Sequence, residues 1–407
     1  MAADEPKRIL DGYKVIDFSQ VLAGPTVTRL MAELGAEVIK VELPPGGDRS
    51  RGLPFLLNGR SGYFVQQNRG KRSLCIDLKN PKGHAVVRDL LAKADVMVEN
   101  FAPGVIKRLG FGYETVHELN PRLVMCSISL CGQAGPFSFK PGFDHIGAAL
   151  AGVLDMTGEA DGPPLLNTMG VGDVSTGVHG FSAVLAALLY RERTGKGQWV
   201  DVSLVDSYFH YHDVSAQVLS LSGGKTKPRR SGAHHYLVTP GGIFKSREGF
   251  ILIAALDHQW PDLCRAMGRP DMIDDPRFKS NSLRTQNAKE VIGTIEAWLQ
   301  AQSSDEAALK QLDEHRVPCA PVLSVEQAVK HPQLQARRTV RKIHDRVLGE
   351  FEVPGFPLRF SEFPTELTLE APFLGEHNSE ILERDLGYSS EQIRELESAG
   401  VLRSGER

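Results

Sequence analysis

Two hydrophobic periods take turns along the first half of this chain, and that alternation restricts its fold more than any other feature. "YKVIDF" (13–18) and "AEVIKVE" (36–42) are short β-branched runs; "TVTRLMAELG" between them is amphipathic at helical spacing and closes on Gly35. The pattern returns with the strand "SLCIDL" (73–78), the helix "KGHAVVRDLLAKA" (82–94) and the strand "DVMVEN" (95–100), and "RLVMCSISL" (122–130) is one more strand. Such alternation predicts an α/β fold with a parallel sheet and helices on both faces. Ligands of these sheets meet the carboxyl ends of the strands, so "SQVLAGP" (19–25), "ENFAPG" (99–104) and "SLCGQAGP" (129–136) fall on the functional rim.

At 407 residues the chain is long for one domain. After the strand "QWVDVSL" (198–204) the pattern breaks: "LSGGKTKPRRSGAHH" (221–235) is glycine-rich, basic and without period. A large domain over 1–220 is therefore expected, with a small α+β domain over 221–325 and a C-terminal segment over 326–407. The net charge of -3 gives no pull towards nucleic acid or an anionic membrane. No apolar run approaches the ~20 residues of a membrane span. "MAADEPKRIL" carries acids and no apolar stretch, so neither a signal nor a transit peptide is expected. Five cysteines, mostly with apolar neighbours, read as buried thiols of a cytoplasmic protein.

Several motifs fail on inspection. "GGKT" (223–226) lacks the upstream glycine of a P-loop, since position 219 is Leu219. No G-x-G-x-x-G follows a strand, and H-E-x-x-H, C-x-x-C and G-x-S-x-G are absent. "HYHD" (210–213) is weak evidence for a metal, and no metal site is expected.

One acid stands out. In "MGVGDVSTGVHG" (169–180), Asp173 sits among Gly, Ser, Thr and Val just ahead of a long apolar helix. A helix N-cap and a catalytic carboxylate both account for it. The surrounding segments decide. "VIDFSQVLAGPTVTRLMAELGAEVIKVE" (15–42), "NRGKRSLCIDLKNPKG" (68–83), "ADVMVENFAPGVIKRLGFGY" (94–113), "GDVSTGVHGFSAVLAALLYRERTGKGQWVDVSLVDS" (172–207), "VPCAPVLSVEQA" (317–328) and "APFLGEHNSEIL" (371–382) run nearly end to end. In that order they resemble the class III CoA-transferases, the formyl-CoA transferase and carnitine CoA-transferase group that also contains 2-methylacyl-CoA racemases. The resemblance implies a large Rossmann-like domain to which the C-terminal segment returns, a smaller inserted domain, and an interlocked homodimer. It implies no cofactor beyond coenzyme A, which enters as the acyl-CoA substrate.

The same resemblance assigns roles. Asp173 falls on the catalytic aspartate. Moving CoA between carboxylates needs a nucleophile that holds an acyl group and then CoA, through mixed anhydrides and an aspartyl-CoA thioester. With an ordinary pKa of about 3.9 it would be ionised at pH 7 without a separate base. Its neighbouring glycines would admit substrate and leave N–H groups for the oxyanion. Lys71, Arg72 and Arg108 fall where CoA phosphates are contacted. Asn100 and Phe101 would line the adenine or pantetheine channel, walled by Val105 and Leu109. Val21 and Ala23 would place backbone around the thioester. Lys140 carries over with a one-residue difference in spacing. Asp144 matches an acidic position that would orient Asp173 or the CoA thiol, or cap a helix.

Two departures bear on the acid. Leu22 replaces the formyl-CoA transferase Gln, so no side-chain donor reaches the reacting carbonyl from there. "SGAHHYLVTPGGIF" (231–244) replaces a loop of four glycines, and its His234 and His235 stand as candidate contacts to a substrate carboxylate, as do Arg229 and Arg230. A small dicarboxylate is the expected acceptor. A racemase of the same fold is the alternative, but its His-Asp pair is Phe143-Asp144 here, and His145 points elsewhere on a helix. A CoA-binding protein without catalysis is the second alternative.

Overall fold

The computed structural model describes residues 8–363 and 366–405. The opening segment read for a leader thus lies, as far as residue 7, outside the described residues. Six strands form the main sheet: β1 (Lys14–Asp17), β2 (Glu37–Glu42), β3 (Lys71–Cys75), β4 (Val96–Glu99), β5 (Val124–Ser129) and β6 (Trp199–Ser203). Their spatial order is β3-β2-β1-β4-β5-β6, and every pairing is parallel. This is the Rossmann order, which reverses direction between β1 and β4 and opens a crevice at their carboxyl ends.

Successive strand residues serve opposite faces, which is why the runs are apolar throughout. Ile16, Ile39, Leu74 and Met97 pack with Val87 and Leu91 of one helix, Pro81–Ala92, and with Ile393 and Leu396 near the C-terminus. Val15, Val38, Val96 and Val124 face the other way, against helix α1 (Ala23–Glu33) and the long helix Val171–Thr194. That helix contains an 18-residue window apolar enough for a membrane span, but half of the window is buried, and Phe181, Val184 and Leu188 pack against this sheet as in the core of a globular unit.

The chain divides into two compact units. The first comprises the chain up to Ala151, Asn167–Tyr211 and the chain from Pro332 on; the second comprises Gly152–Leu166 and His212–His331. These limits differ from the expected 1–220, 221–325 and 326–407. The basic stretch at 221–235 is a loop inside the second unit, and its compositional break follows the change of unit by several residues. The C-terminal segment covers the β3 edge: Gly375 N donates to Ser73 Oγ (2.8 Å) and Cys75 N to Asn378 Oδ1 (2.9 Å). Backbone groups of an edge strand are thereby satisfied. In the second unit β7 (Gly241–Lys245), β8 (Phe250–Ala254) and β9 (Cys319–Pro321) form an antiparallel sheet in the order β9-β8-β7. Its apolar face packs on Trp260, Leu263, Ile295 and Leu299.

Candidate active site

Three helices converge on Asp173: α2 (Gly62–Asn68), α3 (Asp144–Leu150) and α4 (Val171–Thr194), with α5 (Leu204–His210) behind them. Helix α4 starts earlier than the sequence predicts, with Gly170 at its N-cap position. Asp173 is therefore the third helical residue, and the N-cap reading is corrected. The glycines around it serve packing between protein segments. A Cβ at Gly172 would lie 2.1 Å from the Tyr208 ring, and one at Gly177 would lie 2.6 Å from the Ala23 carbonyl oxygen. Their backbone donors are not left for an oxyanion either. Gly172 N donates to the Tyr208 hydroxyl (3.0 Å), and Asp173 N donates to Asp144 Oδ2 (2.9 Å).

The charge state of Asp173 also departs from expectation. Burial, then the Asp144 carboxylate, pushes its pKa up to about 7, against a smaller pull from His145. The group is half-ionised at neutral pH. Burial, then the Asp173 charge, lifts the Tyr63 hydroxyl on α2 to about 12, so Tyr63 is a phenol beside Asp173 at neutral pH.

The loop after β1 forms the opposite wall. Gly170 lies against Leu22, where a Cβ would come within 2.7 Å of Leu22 Cδ2. Asn100 clamps this loop by accepting from Gln20 N (2.7 Å) and donating to Gln20 O (2.8 Å). Val21 holds a left-handed backbone (φ 66°), a costly conformation for a β-branched residue. Its N–H is tied to Asp48 Oδ1 (3.1 Å). Asp48 in turn lies 2.8 Å from Lys40 Nζ, and Lys40 donates to Ser19 O (2.7 Å). Burial opposes these charges, but Lys40 wins at Asp48 and holds it below its usual range. Ala23 opens α1 at the end of the loop.

Two of the expected phosphate contacts are engaged elsewhere. The Lys71 side chain is fully buried and bonded to Asp17 Oδ2 and Asn68 Oδ1 (2.9 Å each). Burial outweighs Asp17 and brings its pKa down to about 8. Arg72 is shared among Glu37, Glu380 and Asp385. Neither guanidinium nor ammonium is open to a phosphate, and both readings are corrected. Arg108 is exposed beside Val105 on the short helix Val105–Arg108, Lys140 is exposed near the Phe137 ring, and Phe101 packs on the core. Leu109 does line a cleft, of about 500 Å³, with Leu43, Pro44, Leu78, Lys79 and Arg403. This cleft follows the carboxyl ends of β2 and β3, and its two cations were missed in sequence. In the second unit His234 pairs with Gly242 and meets the Phe244 ring edge-on, while His235 Nδ1 accepts from Leu237 N (3.1 Å). Arg230, read as spare, is bound to Asp155 (2.6 Å).

An acid at a helix start, a glycine-closed wall and a cleft at the strand ends lie together at the rim where sheets of the Rossmann order take their ligands. The chain belongs to CoA-transferase family III, whose model matches residues 10–378, and it is an enzyme of that class. It is 35% identical to the succinyl-CoA:glutarate CoA-transferase of Mus musculus, over 98% of this chain and 91% of that protein. With the formyl-CoA:oxalate CoA-transferase of Streptomyces coelicolor it shares 34% identity, over 97% and 99% of the two chains. The crystal structure of a CaiB/BaiF family protein from Brucella suis superposes with a TM-score of 0.79 at 33% identity, covering 92% of this chain and 98% of that one.

Proposed function

We propose that the enzyme moves CoA from an acyl-CoA to a small dicarboxylic acid, with Asp173 carrying first the acyl group and then CoA. The observation that carries this reading is a half-buried carboxylate of raised basicity, flanked by a fixed second acid, on the wall opposite the Val21 loop. Asp173 attacks the thioester carbonyl, forming a mixed anhydride and releasing CoA thiolate. The thiolate attacks the aspartyl carbonyl, which forms the aspartyl-CoA thioester and frees the donor acid. The acceptor carboxylate then displaces CoA thiolate to give a second anhydride. Attack of the thiolate on the acceptor's acyl carbon yields the new acyl-CoA and regenerates Asp173. The cleft between Leu43 and Arg403 suits the nucleotide of CoA, with Lys79 and Arg403 as phosphate partners.

The relatives' printed substrates, glutarate and oxalate, support the dicarboxylate, and Leu22, which lacks the side-chain donor of the formyl-CoA transferase Gln, weighs against formate–oxalate exchange. A homodimer is part of the proposal. Val174 and Val178 of α4, and Ile146 and Leu150 of α3, leave apolar surface exposed beside the site. The racemase alternative is not favoured: His145 Nε2, the nearest candidate base, is 2.6 Å from the Asn167 carbonyl oxygen and bonded to it.

Intact-mass spectrometry after brief incubation with succinyl-CoA tests the covalent route. An adduct of CoA mass, or a hydroxamate at Asp173 after hydroxylamine, is the expected result. An unmodified protein that exchanges the α-proton of 2-methylacyl-CoA with deuterium would turn the assignment to racemase.

A further inference from the structure

The reading of Asp173 as nucleophile leaves one neighbouring group without a role. Tyr208, on α5, is 4% exposed, and its ring occupies the space that a side chain at Gly172 would need. Its hydroxyl oxygen accepts the Gly172 N–H, so its proton is directed to Asp144 Oδ1, where it donates a short hydrogen bond. The other oxygen of Asp144 accepts the Asp173 N–H. Both oxygens of this buried acid therefore accept, the state of a carboxylate rather than of a carboxylic acid.

We infer that Tyr208 is a positioning residue for Asp173: its ring seats the first turn of α4, and its hydroxyl fixes the Asp144 side chain against the Asp173 backbone. The inference rests on the nucleophile reading above. Burial, and then an acid fixed close by, disfavour charge on Asp173, so holding Asp144 in place with two hydrogen bonds keeps the basicity of Asp173 high. A more basic carboxylate is the better nucleophile once ionised. The other titratable groups facing the pair are His145 on α3 and Tyr63 on α2; the loop ahead of α1 presents the apolar Leu22.

A side chain that only fills space would lower stability when cut and leave the titration of Asp173 alone. Tyr208→Phe keeps the ring and deletes the hydroxyl. The pH profile of kcat/KM for CoA transfer from succinyl-CoA, measured on the full chain, reads the difference. The acid limb is expected to move to lower pH by about one unit in Tyr208→Phe, because Asp144 is then no longer fixed beside Asp173 and raises its basicity less. Asp144→Asn is expected to shift the limb the same way, and the double variant no further than either. The Tyr208→Phe shift persists in a His145→Gln background, which separates it from titration of that imidazole.

An unshifted limb in Tyr208→Phe, with or without a lower melting temperature, overturns the inference. Should that variant not fold, an unshifted limb in Asp144→Asn overturns it equally. Asp173→Ala distinguishes the layers: its retained transfer activity would overturn the nucleophile reading itself, whereas its inactivity beside an unshifted Tyr208→Phe profile removes the Tyr208 role alone.

Discussion

Asp173 is held in a place that disfavours its charge, and chemistry and stability draw opposite consequences from that. On the proposed route the carboxyl, protonated below about pH 7, cannot attack, so kcat/KM is expected to fall tenfold per pH unit on the acid side. For stability the sign follows from a folded pKa raised above an unfolded value near 4. The contribution is fully present below pH 4 and is lost as pH rises to 7. Asp173→Asn removes the charge without removing volume. It should be inactive, equal to the parent in stability near pH 4, and more stable by on the order of 1–2 kcal/mol above pH 7, after discounting for partial exposure. Urea titrations at pH 4.5 and 8 check this, and equal differences at both would contradict the burial argument. Asp173 stood out as a candidate because "GDVSTG" is a local pattern. Its protonation was not legible, because Asp144 and Tyr208 reach it from 29 and 36 positions away in the chain, Tyr208 by way of its neighbour Gly172.

Helices α1 and α4 touch where Gly177 meets Ala23, and this contact sets the width of the site. Gly177→Ala would drive a methyl to 2.6 Å from the Ala23 carbonyl oxygen and from Thr26 Cβ. One of the two helices must retreat, at a cost of about 1–3 kcal/mol. Because Ala23 ends the loop that carries Val21, the displacement reaches the wall facing Asp173. A shift of this size should lower kcat by ten- to a hundredfold with a smaller change in KM. Loss of stability with unchanged kcat would show that the loop is positioned by its own clamps, Asn100 and Asp48. At this scale the sheet strands were legible to within a few residues, because alternation with helices needs only local periodicity. The start of α4 was misjudged because glycines, poor helix formers in isolation, are required there by the close approach of Leu22, Tyr208 and Ala23. Lys71 and Arg72 were misassigned for a related reason. Their spacing to the rim is right, but Asp17, Asn68 and Asp385 had already claimed them.

Acid stability is where the molecule acts as a whole. Asp17, Glu42 and Asp48 are buried under the Val21 loop. Burial opposes their ionisation, yet Lys71, Lys40 and Arg51 hold all three below their usual range. Across the same unit, Asp345 binds Arg60 through both carboxylate oxygens (2.7–3.0 Å), joining the C-terminal hairpin Val340–Pro354 to the residues ahead of α2. Its carboxyl too is held down by Arg60 against the cost of burial. Groups with depressed folded pKa values stabilise fully above the unfolded value near 4, and lose that contribution as pH falls through the folded ones. The first unit should therefore unfold steeply below pH 4. Its C-terminal segment should go in the same step, because it is bonded into β3 and to Arg60 rather than laid on the surface. Asp345→Ala leaves Arg60 buried without its carboxylate, against the Ala371 carbonyl and the Phe373 ring, and should cost about 3–5 kcal/mol at pH 7. Near pH 3 the cost should shrink, since the carboxyl of the unfolded chain is then mostly protonated and forming the ion pair must expel that proton. Denaturant unfolding at both pH values measures this, and an unchanged cost at pH 3 would mean that the pair contributes through packing rather than charge. None of this network could be read from the sequence, because its members come from 17 to 345 along the chain and only the closed fold brings them together.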